Sequence, residues 1–270
     1  MSVPRPSHSV QELFGSSADR YDQRHYGSRY RTFIGDRQQL LNSVLASMPL
    51  SRSVRVLDVA CGPGRFLDAA IAGGATTTGI DRSQDMLRTS AKRLGTRSRL
   101  VLGDATSLPF DSCSFDLVNC SGLIEYFSDP TVLLREIYRV LSPGGSAMVS
   151  STNRRSPALS LQFLIHGIRK SRFLHSLLKK SGAMVDQVSL RERNFRMTFH
   201  TPAELETILA TTGFEDVRMH FFHLQLVPHP FDRIAPGLTT ACVKMTDRLL
   251  PKSPMRRLSE GMVAIGTRAS

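Results

Sequence analysis

The sequence predicts an α/β domain built on a doubly wound, largely parallel sheet, and three observations carry that expectation. Short apolar runs at 54–58, 77–81, 99–102, 117–120 and 147–151 are separated by helical stretches, so each run reads as a strand covered by helices on both faces. The first run passes, through Val56-Leu57-Asp58-Val59-Ala60-Cys61-Gly62-Pro63-Gly64-Arg65, from an apolar strand into a glycine turn and then a helix. The second and third runs end on carboxylates, in Gly79-Ile80-Asp81 and Leu102-Gly103-Asp104-Ala105, where ligands of such sheets bind.

The remaining elements follow from their punctuation. Residues 1–52 form an arm, with a capping-box pattern at Ser9-Val10-Gln11-Glu12 and an apolar helical stripe of Leu40, Leu41, Val44 and Leu45. The alternating core occupies 53–152. Asp129-Pro130 starts the helix that reaches Leu141, and Pro143-Gly144-Gly145 stops it ahead of the fifth strand. Residues 153–200 depart from a minimal fold: Leu161, Leu164, Ile165, Ile168, Phe173, Leu174, Leu177 and Leu178 alternate with Arg169, Lys170, Arg172, Lys179 and Lys180. That pattern is a basic amphipathic helix or helix pair, expected to cap the active end of the sheet or to touch a lipid surface. In 201–270, Thr201-Pro202-Ala203-Glu204 opens a helix that Gly213 ends, and strands follow near 217–223 and 262–267.

Each candidate residue has a ligand role and a structural one. Gly62 and Gly64 let a ligand approach the backbone, while the following helix presents free N–H groups to it. A pyrophosphate ligand is disfavoured, because Leu67 stands where a dinucleotide fingerprint places its third glycine. Asp58 either touches ligand or orders the glycine loop through backbone N–H groups. Asp81 meets a ribose diol or serves as a helix N-terminal charge ahead of Ser83 and Asp85. Asp104 accepts from an adenine amino group or is a turn residue, and Met86 lines a ligand or packs the core.

With these residues assembled, the chain resembles the class I S-adenosylmethionine (SAM)-dependent methyltransferases, in particular the small-molecule branch that includes the quinone-biosynthesis enzymes. The resemblance covers about residues 54–152, and its specificity lies in the order and spacing of the elements. It implies a Rossmann-like seven-stranded sheet whose last strand is antiparallel. It also implies that Asp58, Ala60, Gly62 and Gly64 surround the methionine part of SAM, that Asp81 holds the ribose with Arg82 beside it, that Met86 faces the adenine and that Asp104 and Ala105 border its edge. Ser121, at the tip of the fourth strand, completes the implied cofactor shell. Ala60 replaces a glycine common in that family. The arm segment Ala18-Asp19-Arg20-Tyr21-Asp22 resembles a stretch that relatives fold over SAM, which makes Tyr21 a candidate lid residue with hydrophobic packing as its other role.

Methyl transfer from a sulfonium requires alignment of an acceptor lone pair, exclusion of water and, for a hydroxyl acceptor, removal of its proton. His200, ahead of its helix, and His25 with Tyr26 in the arm are the candidates for that proton, each with a structural alternative, while Glu125, after the fourth strand, lies in a region that borders the acceptor in the family resembled. Relatives acting on quinone hydroxyls carry a Glu-x-x-Glu-His run that can hold a metal; here Gly122 and Tyr126 leave Glu125 alone, so no metal is expected. Asn119-Cys120-Ser121-Gly122 lacks the Asn-Pro-Pro-Tyr type signature of enzymes that methylate exocyclic amines of bases.

Composition narrows the remaining choices. The 270 residues, 41% hydrophobic, suffice for one domain with insertions, and neither a membrane-length apolar run nor a secretion signal is visible, which implies a cytoplasmic protein. Four cysteines at 61, 113, 120 and 242 lack zinc or redox spacing and read as reduced thiols. The formal charge of +12 is spread along the chain, without aromatic-interleaved RNA-binding runs or any tryptophan, so a nucleic-acid partner is not expected. Peripheral contact with an anionic membrane stays open. The expected function is SAM-dependent methylation of a small, partly apolar metabolite, most simply at oxygen. Carbon or nitrogen acceptors, a non-catalytic SAM-binding module and an RNA-associated module are the alternatives.

Overall fold

A computed structural model describes residues 33–161, 197–224 and 253–270, with isolated positions between 237 and 245. In chain order its main elements are α1 (Phe33–Ala46), β1 (Arg55–Val59), α2 (Arg65–Ala72), β2 (Thr76–Asp81), α3 (Gln84–Leu94), β3 (Ser98–Leu102), β4 (Phe115–Ser121), α4 (Thr131–Val140), β5 (Leu141–Thr152), α5 (Pro202–Thr212), β6 (Phe214–Phe222) and β7 (Gly261–Arg268). They form one seven-stranded sheet in the order β3-β2-β1-β4-β5-β7-β6. Neighbours from β3 to β5 pair in parallel, whereas β7 runs antiparallel to both β5 and β6. This is the doubly wound Rossmann-like sheet that the sequence predicts. The chain builds outward from β1 to β3 and then crosses to β4 on the other side of β1, so the crevice of the fold opens between the carboxyl ends of β1 and β4.

Period-two burial divides the core between the faces. Leu57 and Val59 of β1 pack with Val118 and Val149 against Leu133, Leu134 and Ile137 of α4 and Leu205 and Leu209 of α5. Val56 and Leu117, one residue out of phase, meet Leu41, Val44 and Leu45 of α1 and Phe66 and Ala70 of α2 on the opposite face. The apolar stripe of α1 is thus buried as predicted. Each fully buried leucine of these layers contributes about 2–3 kcal/mol.

Local signals set the boundaries. Thr201 and Glu204 form the expected reciprocal capping box on α5, which ends at Gly213 with φ +109°. Ser83 caps α3 by accepting from the Met86 N–H. The stop after α4 lies earlier than the Pro143-Gly144-Gly145 signal: the helix ends at Val140 and Leu141 is already extended and paired with Phe115. Proline disfavours a helical Ser142, and Arg268 of β7 donates to the carbonyls of Tyr138, Arg139 and Leu141, closing the helix end from outside. At the other end Asp129 does not cap by itself; it accepts from the N–H and hydroxyl of Thr131, and Pro130 occupies the cap.

The missing third glycine of a dinucleotide fold has a structural counterpart. Leu67 of α2 lies fully buried over Gly79 of β2, where an added Cβ would stand 2.7 Å from the leucine Cδ1. Close packing of helix on sheet is achieved by a glycine on the strand instead of one on the helix. The arm before residue 33, residues 162–196 of the segment 153–200 expected to form a helical cap, and the Ser9–Glu12 capping-box pattern lie outside the described residues, as do Tyr21, His25 and Tyr26.

Candidate cofactor and acceptor site

The predicted site residues within the described chain gather along the carboxyl edge of the sheet. Asp58 lies in register with Asn119 across the β1–β4 pair, and Asn119 Nδ2 donates to Asp58 Oδ1 at 2.6 Å. Ser121 in turn donates its hydroxyl to Asn119 Oδ1 at 2.8 Å. The three form a polar chain from β1 to the β4 tip, buried at Asp58 and Asn119 and half-buried at Ser121. Burial drives the Asp58 pKa up to about 7, with the nearby Asp81 charge adding to the rise, while Asn119 and the Arg37 charge oppose it.

Ordering of the glycine loop falls to Asp81 and not to Asp58. Asp81 Oδ2 accepts from the Gly62 N–H at 2.9 Å and Oδ1 from the Ser83 N–H at 2.8 Å, which ties the β1 loop to the tip of β2 and the start of α3. Its pKa is raised, mainly by burial, with these backbone donors and the Arg82 charge pulling it down.

The loop glycines differ in what their missing side chains permit. Gly62 has φ +50°, and a Cβ there would meet no atom within 4 Å, so the loop faces open space. Gly64, at φ +76°, would instead drive a Cβ into the Ser90 hydroxyl, with Leu94 Cδ1 at 3.0 Å. Gly64 therefore serves the packing of α2 on α3 as well as the turn, whereas Gly62 borders open space. Ala60 also adopts a left-handed conformation, φ +58°, without being glycine.

On the neighbouring strand tips, Asp104 Oδ1 accepts from both the N–H and the hydroxyl of Thr106, the turn role open to it in the sequence. Ala105 is partly buried against the core, and Met86 is enclosed within the first turns of α3.

Glu125 sits in a short 3₁₀ turn, Ile124–Tyr126, just beyond β4. Its Oε1 accepts from the Thr152 N–H at 2.9 Å and the Thr152 hydroxyl at 3.2 Å, whereas Oε2 is buried with no partner among the described residues. Burial raises its pKa. His200 is buried, with Nδ1 3.3 Å from Ser151 Oγ, and desolvation lowers its pKa, so its ring is neutral near pH 7. Ser151 and Thr152 are adjacent on β5 and point to opposite faces, so Glu125 and His200 occupy different sides of that strand.

Asn119 and Arg37 are site residues that the sequence reading left out. Asn119 had a visible signal, a polar side chain inside the apolar run of β4. Arg37 had none, because only folding brings α1 over the β4 tip: a Cβ on Gly122 would stand 3.1 Å from the Arg37 guanidinium carbon.

The comparisons agree with this architecture. Residues 57–149 match the family described as Methyltransferase domain. A malonyl-[acyl-carrier protein] O-methyltransferase of Erwinia billingiae is 36% identical over 149 residues, 55% of each chain, so the match spans about half of that relative's length. A demethylmenaquinone methyltransferase of Staphylococcus aureus is 27% identical over 223 residues, 79% of this chain and 88% of the relative. Among solved structures, magnesium protoporphyrin IX methyltransferase from Synechocystis PCC 6803 with bound S-adenosylhomocysteine (SAH) superposes with a TM-score of 0.60 at 16% identity, over 96% of this chain and 98% of the other. That last likeness concerns the fold.

Proposed function

With a core that is that of a class I SAM-dependent methyltransferase, we propose that this protein methylates an oxygen atom of a small, partly apolar metabolite in secondary-metabolite or quinone-type biosynthesis. The observation that carries the reading is the open Gly62 loop held by Asp81 at the switch point between β1 and β4. These residues fit the cofactor. The Asp81 carboxylate has four lone pairs and three backbone donors, which leaves acceptor capacity for a ribose hydroxyl, Gly62 leaves room for the ligand backbone, and ionised Asp58 complements a cationic amino-acid end. Asp104, Ala105, Met86 and Arg82 border the adenosine, with Ser121 holding Asn119 in place from β4. SAM, when bound, supplies a methyl group made electrophilic by its sulfonium.

The acceptor side belongs to Glu125. A buried carboxyl with an unsatisfied oxygen carries a desolvation cost of about 1–3 kcal/mol, which an acceptor hydroxyl bonded to Oε2 would offset. Glu125 then takes the hydroxyl proton, its raised pKa bringing it toward the working pH. His200 is the weaker candidate, because its Nδ1 pairs with Ser151 and its ring is enclosed. A cap formed by 153–200 is supported by the meeting of its two ends: Arg154 N–H donates to the His200 carbonyl at 2.9 Å, and Thr198 N–H donates to the Glu125 carbonyl at 2.8 Å. The segment leaves and returns beside the acceptor turn. Tyr21 would close the opposite side. Among the described residues no helix is long and apolar enough to cross a membrane, and we place the enzyme in the cytoplasm without a nucleic-acid partner.

The test is transfer of radiolabelled methyl from SAM by the purified protein into a source-cell extract, fractionated into small metabolites, lipids, protein and RNA. Label in the small-molecule or lipid fraction is expected. Label in RNA would overturn the reading, and tight SAM binding without label would point to a non-catalytic module.

A further inference from the structure

Arg37 is a cation without a hydrogen-bond partner among the described residues, placed against Gly122 between the β4 tip and the turn that carries Glu125. It projects from α1, and the residue before it is pinned: Asp36 Oδ2 pairs with His223 Nδ1 at 2.8 Å, both groups buried at the end of β6. With α1 fixed there and by its apolar stripe, the Arg37 guanidinium reaches over Gly122, whose φ of +72° and missing Cβ leave the space it occupies. Gly122 separates Ser121 from the turn that carries Glu125. The positive charge acts on Glu125, Cys120 and Asp58, the groups that line the β4 side of the crevice.

Position and charge point to what such a group binds. A guanidinium has five donors in a rigid fork suited to a carboxylate, and the half-buried Arg37 gives none of them to a group of the described residues. The open space above Gly62 has no Arg37 atom within 4 Å of where a Cβ would be, so the guanidinium is not at the loop that cradles the cofactor. The cofactor also brings a sulfonium and an ammonium against one carboxylate. Arg37 faces the Glu125 and Asp58 carboxylates through charge alone, so its hydrogen-bonding fork is left for an anion that the acceptor supplies.

We propose that Arg37 is the acceptor-specificity residue of this site, its guanidinium binding a carboxylate on the molecule to be methylated. This rests on the methyltransferase reading above and adds the chemical class of the acceptor: an organic acid with an apolar portion, held through its carboxylate at Arg37 while another oxygen of the same molecule, bonded to Glu125, faces the methyl group.

Calorimetry on the full-length protein tests it without knowledge of the natural acceptor. The SAH-saturated wild type, Arg37→Met and Arg37→Lys are titrated with octanoate, benzoate, salicylate and malonate, and with octanol and benzyl alcohol as uncharged controls. At least one carboxylate is expected to bind the wild type and to weaken about tenfold or more in Arg37→Met, with partial retention in Arg37→Lys and no change for the alcohols. SAH affinity should be the same in all three proteins, which also shows that the variants fold. Gly122→Ala, which displaces the guanidinium without deleting it, should lose carboxylate binding as well. Equal carboxylate binding by the wild type and Arg37→Met, or none by the wild type, overturns the proposal. So does a loss of SAH affinity in Arg37→Met with 5′-methylthioadenosine unaffected, since the guanidinium would then hold the cofactor's own carboxylate. If the wild type binds neither SAH nor 5′-methylthioadenosine, the methyltransferase reading itself fails.

Discussion

Alanine at Gly62 and at Gly64 should separate ligand approach from packing, although the two glycines lie two residues apart. Both adopt left-handed backbone, which costs an L-residue about 1–2 kcal/mol. At Gly62 nothing else is added, because the new methyl group enters open space. At Gly64 the methyl group collides with Ser90 and crowds Leu94 across the α2–α3 contact, and such overpacking costs about 1–3 kcal/mol more. The expected losses are therefore about 1–2 kcal/mol for Gly62→Ala and about 2–5 kcal/mol for Gly64→Ala. Urea midpoints measure the stabilities and SAH calorimetry the affinities. Gly62→Ala should stay well folded yet lose SAH affinity by tenfold or more, an order of magnitude set by displaced backbone contacts of about 1.4 kcal/mol. Gly64→Ala should be the less stable, and adding Ser90→Ala should recover part of the loss, since the serine hydroxyl is buried without a partner among the described residues. Equal stabilities for the two single variants, or undiminished SAH affinity in Gly62→Ala, would refute the assignment of ligand approach to one glycine and packing to the other.

Three further outcomes are expected. Ala60→Gly, at φ +58°, should raise the urea-derived stability by about 0.5–1 kcal/mol, the relief of left-handed strain exceeding the added chain entropy of the unfolded state. The Asp58 pKa of about 7 lies above its unfolded value, so between about pH 4 and 7 the folded state holds a proton that the unfolded state releases. Stability from this residue thus falls as pH rises through that window, by an amount on the order of 2–4 kcal/mol, and the fall should be shallower in Asp58→Asn when denaturation midpoints at pH 5 and 7.5 are compared. Asp81→Ala should weaken SAH binding in calorimetry, because it removes the ribose acceptor and frees the Gly62 N–H together; unchanged affinity would end the ribose assignment.

The outcome for individual elements shows which information is local. Strand tips, the α5 capping box and the Gly213 stop were legible because each depends on a few neighbouring residues. The end of α4 was legible to within one residue, Leu141 expected and Val140 found, whereas the fifth strand begins at Leu141 and not at 147; Arg268, far away in sequence, holds that junction. The sequence offered the ordering of the glycine loop to Asp58 alone, whereas the hydrogen bonds give it to Asp81 and join Asp58 to Asn119.

By itself the sequence determined the alternation of strands and helices, the glycine turn and the acidic strand tips, because hydrophobic period and backbone preference act over a few residues. Tertiary structure decided that Leu67 packs over Gly79, that Asn119 and Ser121 join Asp58, and that Arg37 lies above Gly122. Those contacts join residues up to 85 positions apart, and their energies depend on burial and on distances that exist only once α1, the crossover from β3 to β4 and the end of β6 have been brought together.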